Sequence, residues 1–130
     1  MNGNTTLVIN QDTVLISRYS HYASDETGSY DLSILAVDKE FLHQLDEKSA
    51  HGKYKKYDLC ADNDDVPSNV QKAWQQVWID QKIGKIKRCY TEDYECIVLP
   101  NRSSDHKLHC LLYIAIEKIS SFEPANFRQK

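Results

Sequence analysis

Apolar and polar positions divide the chain into short alternating runs and one longer helical stripe. Residues 14–22 are rich in β-branched and aromatic side chains and predict a strand, and the polar, glycine-bearing stretch 23–29 predicts a turn. Across residues 30–37, Tyr30, Leu32, Ile34 and Ala36 share one face, which predicts a second strand closing a hairpin. The stretch 38–50 leaves two readings open, because Phe41, Leu42 and Leu45 have helical spacing while the segment also suits an irregular crossover. His51-Gly52 breaks the pattern before a short strand over 53–60 bearing Tyr54 and Tyr57. The acidic cluster 61–65 then reads as a loop.

The strongest periodicity follows. Val70, Ala73, Trp74, Val77 and Trp78 recur at i, i+3, i+4, i+7 and i+8, the stripe of an amphipathic helix expected over residues 67 to about 81. Pro67 falls in its first turn, where a missing N–H is harmless, and Asp65 is placed to cap it. Gly84 marks its end. Residues 88–99 and 108–117 predict two further strands around a turn at 100–107, the second apolar on both faces and therefore interior. No Pro-, Ser- or Gly-rich linker divides this order. The expectation is a single domain over 1–130 of the α+β class, an antiparallel sheet packed with one clear helix. Residues 1–12 and 120–130 are expected to be loosely ordered.

Composition adds rings to this picture. Eight tyrosines and two tryptophans stand beside one methionine, so amphipathic rings supply much of the apolar volume and are available to line a pocket. A net charge of −3 gives no broad basic field, so neither nucleic acid nor an acidic membrane is an expected direct partner. The longest apolar run, residues 110–116, is too short to span a bilayer, and the first twelve residues lack the pattern of a signal peptide. Cys60, Cys89, Cys96 and Cys110 show no Cys-x-x-Cys spacing and read as reduced thiols of a cytoplasmic protein.

Two strings echo one another: Tyr19-Ser20-His21-Tyr22-Ala23 and Tyr90-Thr91-Glu92-Asp93-Tyr94-Glu95. Together with Gly28-Ser29-Tyr30, Gly52-Lys53-Tyr54, the Ala73-Trp74 and Val77-Trp78 pairs, Arg88-Cys89 and Tyr113-Ile114-Ala115-Ile116, they resemble the effector-binding domain of the AraC/GyrI-like (gyrase-inhibitor-like) family over roughly residues 14–118. The resemblance implies two strand–helix–strand–strand halves around a groove that takes small organic ligands. It puts the pocket carboxylate on Glu95 and aromatic pocket positions on Tyr54, Trp74 and Tyr113. Three departures stand out: the opening strand and helix of the first half are not found before Val14, Ala115 stands where the family often has proline, and Ala23 carries no charge. The first of these leaves sheet surface without its helix and implies a homo-oligomer.

Each candidate also has an ordinary explanation. Glu95 lies in a strand pattern among Tyr90, Tyr94, Ile97 and Val98, where glutamate is depleted; it reads either as one residue of a solvated face or as a buried carboxylate meeting a cationic ligand. Trp74 and Trp78 serve first as the stripe that docks the helix. Tyr22, Tyr54 and Tyr113 suit strands as well as a cation–π ring around a ligand, and Ile97 is a further ligand-binding candidate beside Glu95. Cys89, Cys96, His106, His109 and Cys110 lack the short, regular spacing of structural zinc ligands, so neither metal nor cofactor is expected. The basic run Lys82, Lys85, Lys87 and Arg88 reads as a solvated helix end. The expected function is binding of an amphipathic, cationic organic molecule by a stand-alone sensor or sequestering domain. The alternatives are a hydrolase of the same family type using Glu95 as general base, and a protein-inhibiting module of the gyrase-inhibitor type.

Overall fold

The computed structural model describes residues 13–23 and 28–117. The ends expected to be loosely ordered, 1–12 and 120–130, lie outside the described residues. In chain order the elements are β1 (Thr13–Ser20), β2 (Asp31–Asp38), α1 (Lys39–Ala50), β3 (Tyr54–Ala61), α2 (Val66–Lys82), β4 (Glu92–Val98) and β5 (Leu108–Ala115), with a 3₁₀ turn at Pro100–Arg102. They form an α+β fold in which one sheet of order β2-β1-β4-β5-β3 is antiparallel at every pairing.

The segment 38–50, ambiguous in sequence, folds as a second helix. The Asp38 carboxylate accepts a hydrogen bond from the Phe41 backbone N–H at 3.0 Å, and Leu42 and Leu45 are buried against the sheet. At α2 the expected signals hold. Asp65 accepts from the Ser68 N–H at 3.2 Å, Pro67 occupies the first turn, and Gly84 follows the end at φ 80°, a conformation that favours glycine.

The two helices take opposite faces of the sheet, and the period-2 alternation of the strands sorts the core accordingly. On the α1 face Val14 and Ile16, Tyr94, Cys96 and Val98, and Leu111 and Tyr113 pack with Leu42 and Leu45. On the other face Ala73 and Val77 of α2 pack on Cys110, Leu112 and Ile114, with Ile86 closing the layer. All eight residues of β5 are buried, as a strand apolar on both faces must be. The predicted fourth strand is shorter than its pattern. Arg88 makes only an isolated bridge to Ile116, and Tyr90 takes a φ of 56°, which interrupts extended backbone before Glu92.

Helix α2 packs mainly on β5 and β3, and among the described residues it leaves most of the same side of β1 and β2 bare. Leu15, Leu32 and Ile34 are accordingly 63%, 55% and 63% exposed. The step between the helix and this bare sheet surface is where the aromatic side chains gather.

Candidate functional site

An open cleft of about 270 Å³ occupies that step. Tyr19 and Tyr30 come from the bare hairpin, Tyr22 from the residues that follow β1, and Gln71, Trp74 and Trp78 from one side of α2; Arg88 completes the wall. Register explains the grouping. Tyr19 lies opposite Asp93 and Ser17 opposite Glu95 in the β1–β4 ladder, so Tyr19 and Glu95 share a face and meet diagonally.

Glu95 lies at the base of this aromatic group, half-buried. Its Oε1 accepts hydrogen bonds from the Trp74 indole N–H at 2.8 Å and from the Tyr19 hydroxyl at 3.2 Å. Both rings are thereby fixed, with centroids 5.3 Å apart in an edge-to-face arrangement. Tyr30 stands 5.6 Å from Tyr19 and 5.8 Å from Tyr22, and Trp78 lies 6.5 Å from Trp74, extending the lining outward. Burial first, and then the Glu95 charge, push the Tyr19 phenol above its ordinary range, so it remains a donor at physiological pH.

Beside the cleft stands a buried ion pair. Arg88 Nη2 lies 2.9 Å from Asp93 Oδ2, and the two side chains are 2% and 0% exposed. The Tyr22 hydroxyl donates to the same oxygen at 2.6 Å, while Asp93 Oδ1 accepts the Ala115 N–H at 2.8 Å. Burial and then the hydrogen bond to Asp93 raise the Tyr22 phenol well above its usual range. The guanidinium carbon lies 4.6 Å from the Tyr90 ring centre, 5.8 Å from Tyr22 and 5.9 Å from Trp74. Among the described residues Arg88 Nε and Nη1 have no hydrogen-bond acceptor, and the rings of Tyr90, Tyr22 and Trp74 lie around the guanidinium. The sequence expectation of a solvated Arg88 is therefore corrected: the neighbouring Asp93 carboxylate makes its burial possible.

The structure brings Glu95, Trp74, Trp78 and Tyr22 together and separates the other expected residues. Tyr113 is 1% exposed on the α1 face, where its hydroxyl donates to Asp46 Oδ1 at 2.7 Å. Tyr54 packs on that same face, 6.3 Å from Tyr94, with its phenol pushed up to about 12 by burial and then by the charges of Glu92 and Asp93. Neither reaches the cleft, because the strand alternation that aims Glu95 toward α2 aims both tyrosines the other way. Ile97 shares the α2 face and is spent in the core beneath the helix. Glu92 is exposed and accepts from the Tyr94 hydroxyl at 3.0 Å.

Tyr19, Tyr30, Gln71 and Arg88 line the cleft without being among the ligand-binding residues expected from sequence. Tyr30 was visible in the alternation of its strand, but its role depends on α2 stopping short of β2. Among the described residues no helix is long and apolar enough to cross a membrane. Compared with profiles of known families, with curated proteins and with solved structures, the chain matches none.

Proposed function

We propose that the chain is a small-molecule binding protein whose cleft takes an amphipathic organic cation bearing a flat or bulky apolar group. The observation that carries this reading is the open cluster of Tyr19, Tyr22, Tyr30, Trp74 and Trp78 backed by the Glu95 carboxylate. Arg88 and Asp93 neutralise one another, whereas Glu95, among the described residues, has hydrogen bonds from Trp74 and Tyr19 and no ion pair. Donation from Tyr19 and Trp74 to this anion makes their rings more electron-rich, which favours a cation over the ring faces. The likeness to GyrI-like effector-binding domains belongs to this proposal, as does a cytoplasmic role in sensing or sequestering the ligand. Binding is favoured over hydrolysis because Glu95 Oε1 already accepts two hydrogen bonds and Asp93 is committed to Arg88, Tyr22 and Ala115. Self-association through the bare hairpin is part of the same reading.

The test is titration of a lipophilic aromatic cation, and of its neutral isostere, followed by tryptophan fluorescence and calorimetry. Glu95→Gln keeps an acceptor for Trp74 and Tyr19 but removes the charge. It is expected to weaken the cation at least tenfold, about 1.4 kcal/mol, and the neutral isostere much less. Glu92→Gln, an exposed control, is expected to change neither. Equal cation affinity in wild type and Glu95→Gln rejects the charge-based reading.

A further inference from the structure

On the α1 face, near the edge of the sheet opposite the bare hairpin, four polar side chains converge from three segments. Cys60 and His109 are direct cross-strand partners on β3 and β5. Asp58 lies two residues before Cys60 and so points to the same face. Asp105 comes from the turn that precedes β5. A ring nitrogen of His109, a carboxylate oxygen of Asp105 and the Cys60 sulfur all lie within 4.8 Å of one another.

We propose that Cys60, Asp105 and His109 form a binding site for a zinc-class divalent cation, with Asp58 as the outer partner that orients His109. His109 is 5% exposed, and its Nδ1 lies 2.8 Å from Asp58 Oδ1. That bond sets the imidazole so that Nε2 faces Asp105 Oδ2, also at 2.8 Å. A carboxylate on the far nitrogen of a ligating histidine is a recurrent device for fixing ring orientation and raising ligand basicity. Asp105 is oriented in the same way. Its Oδ1 accepts from the Ser103 hydroxyl at 3.1 Å and from the Lys107 N–H at 3.0 Å, which holds both carboxylate oxygens against His109 Nε2, at 3.0 and 2.8 Å.

The donor set of one sulfur, one nitrogen and one oxygen suits zinc or cobalt, and three protein ligands leave one tetrahedral position for water. Donors around such an ion stand about 3–4 Å apart, as its bond lengths of about 2.0–2.3 Å require. Small movements of Cys60 and Asp105, both exposed, supply that contraction around the buried His109. A cysteine nucleophile served by His109 and Asp58 is the competing reading of the same geometry. It is disfavoured because both ring nitrogens of His109 already face carboxylates, Nδ1 Asp58 and Nε2 Asp105, so neither is turned to the sulfur as a base. On binding, the ion replaces the proton shared by His109 Nε2 and Asp105 and the proton of the Cys60 thiol, and both pass to the buffer. The sequence argued against metal because cysteines and histidines lack regular spacing. The sequence pattern groups His109 with Cys89, Cys96, His106 and Cys110, whereas strand pairing brings Cys60 alongside it.

Cobalt titrated into the reduced full chain is expected to bind one ion per chain with sulfur-to-cobalt charge-transfer absorption, and zinc is expected to displace it. In Cys60→Ser, an exposed and conservative change, that absorption disappears. Asp58→Asn is expected to weaken cobalt by about 10–100-fold and leave the absorption intact at saturation. Zinc slows alkylation of Cys60 at least tenfold and leaves the exposed Cys89 unchanged, with circular dichroism verifying the fold of each variant. No charge-transfer absorption, its persistence in Cys60→Ser, or equal zinc effects at both cysteines overturns the site. None of these readouts depends on the aromatic cleft.

Discussion

Arg88 and Asp93 illustrate how one buried pair organises several segments. Asp93 binds the guanidinium, the Tyr22 hydroxyl and the β5 backbone, so its removal strands a cation that is 2% exposed among aromatic rings. Breaking such a pair from one side costs about 3–5 kcal/mol, because the remaining charge keeps its desolvation without its partner. Asp93→Ala is expected to lose stability in that range by urea unfolding. Tyr22→Phe removes one bond to the same carboxylate and is expected to cost about 1.5–3 kcal/mol. A wild-type midpoint for Asp93→Ala would mean that water relieves Arg88 without the carboxylate. The same residues border the cleft, so ligand binding in Tyr22→Phe also reports how much of the aromatic wall depends on this anchor.

Among the elements, α2 is held from both ends and along its flank. Asp65→Ala deletes the cap on the Ser68 N–H and is expected to destabilise by about 1 kcal/mol. Along the flank, buried Asp80 accepts the Tyr57 hydroxyl at 2.7 Å and the Gln76 amide at 2.9 Å. The Tyr57 bond foremost, against the opposing effect of burial, holds the Asp80 carboxyl below its ordinary range. A folded-state value below the unfolded one contributes stability that is present above the unfolded pKa of about 3.9 and disappears as pH falls through the folded value. Tyr57→Phe is therefore expected to be less stable than wild type at neutral pH. The gap narrows as the pH falls from the ordinary carboxylate range through the lowered folded-state value, below which Asp80 is protonated in both proteins. Denaturant midpoints from pH 7 to pH 3 measure it, and a constant gap would assign the loss to packing alone.

For the molecule as a whole, the two edges of the sheet are unequal. Edge strand β3 carries Lys55 and Lys56, charges that discourage further pairing, while β2 has no charged residue between Asp31 and Asp38. Leu32 and Ile34 of that strand are also exposed on the face α2 leaves bare, beside Leu15 of β1. A second copy that covers this hairpin removes both liabilities. The chain is expected to sediment as a dimer or larger at micromolar concentration, and Leu32→Lys with Ile34→Lys as a monomer. A monomeric wild type overturns self-association and leaves the cleft reading intact, since the cleft is lined within one chain.

Local signals in the sequence determined the α2 stripe, its Asp65 cap and Gly84 stop, the β1–β2 hairpin and the interior character of β5. These depend on side-chain period and backbone preference, which act over a few residues. The segment 38–50 was undetermined because three apolar residues fit either form, and the sheet surface offered to Leu42 and Leu45 resolves it as helix. Glu95, Trp74, Trp78 and Tyr22, expected together from residue type and resemblance, do stand together at the cleft. Tyr54 and Tyr113 lie on the face away from the cleft, because a strand residue's face depends on register and a single step exchanges one side for the other. Tertiary structure alone decided the diagonal meeting of Tyr19 with Glu95, the burial of Arg88 against Asp93 and the pairing of Cys60 with His109. Each joins chemistry across strands distant in sequence, and interstrand register, which no local pattern encodes, sets the distance between them.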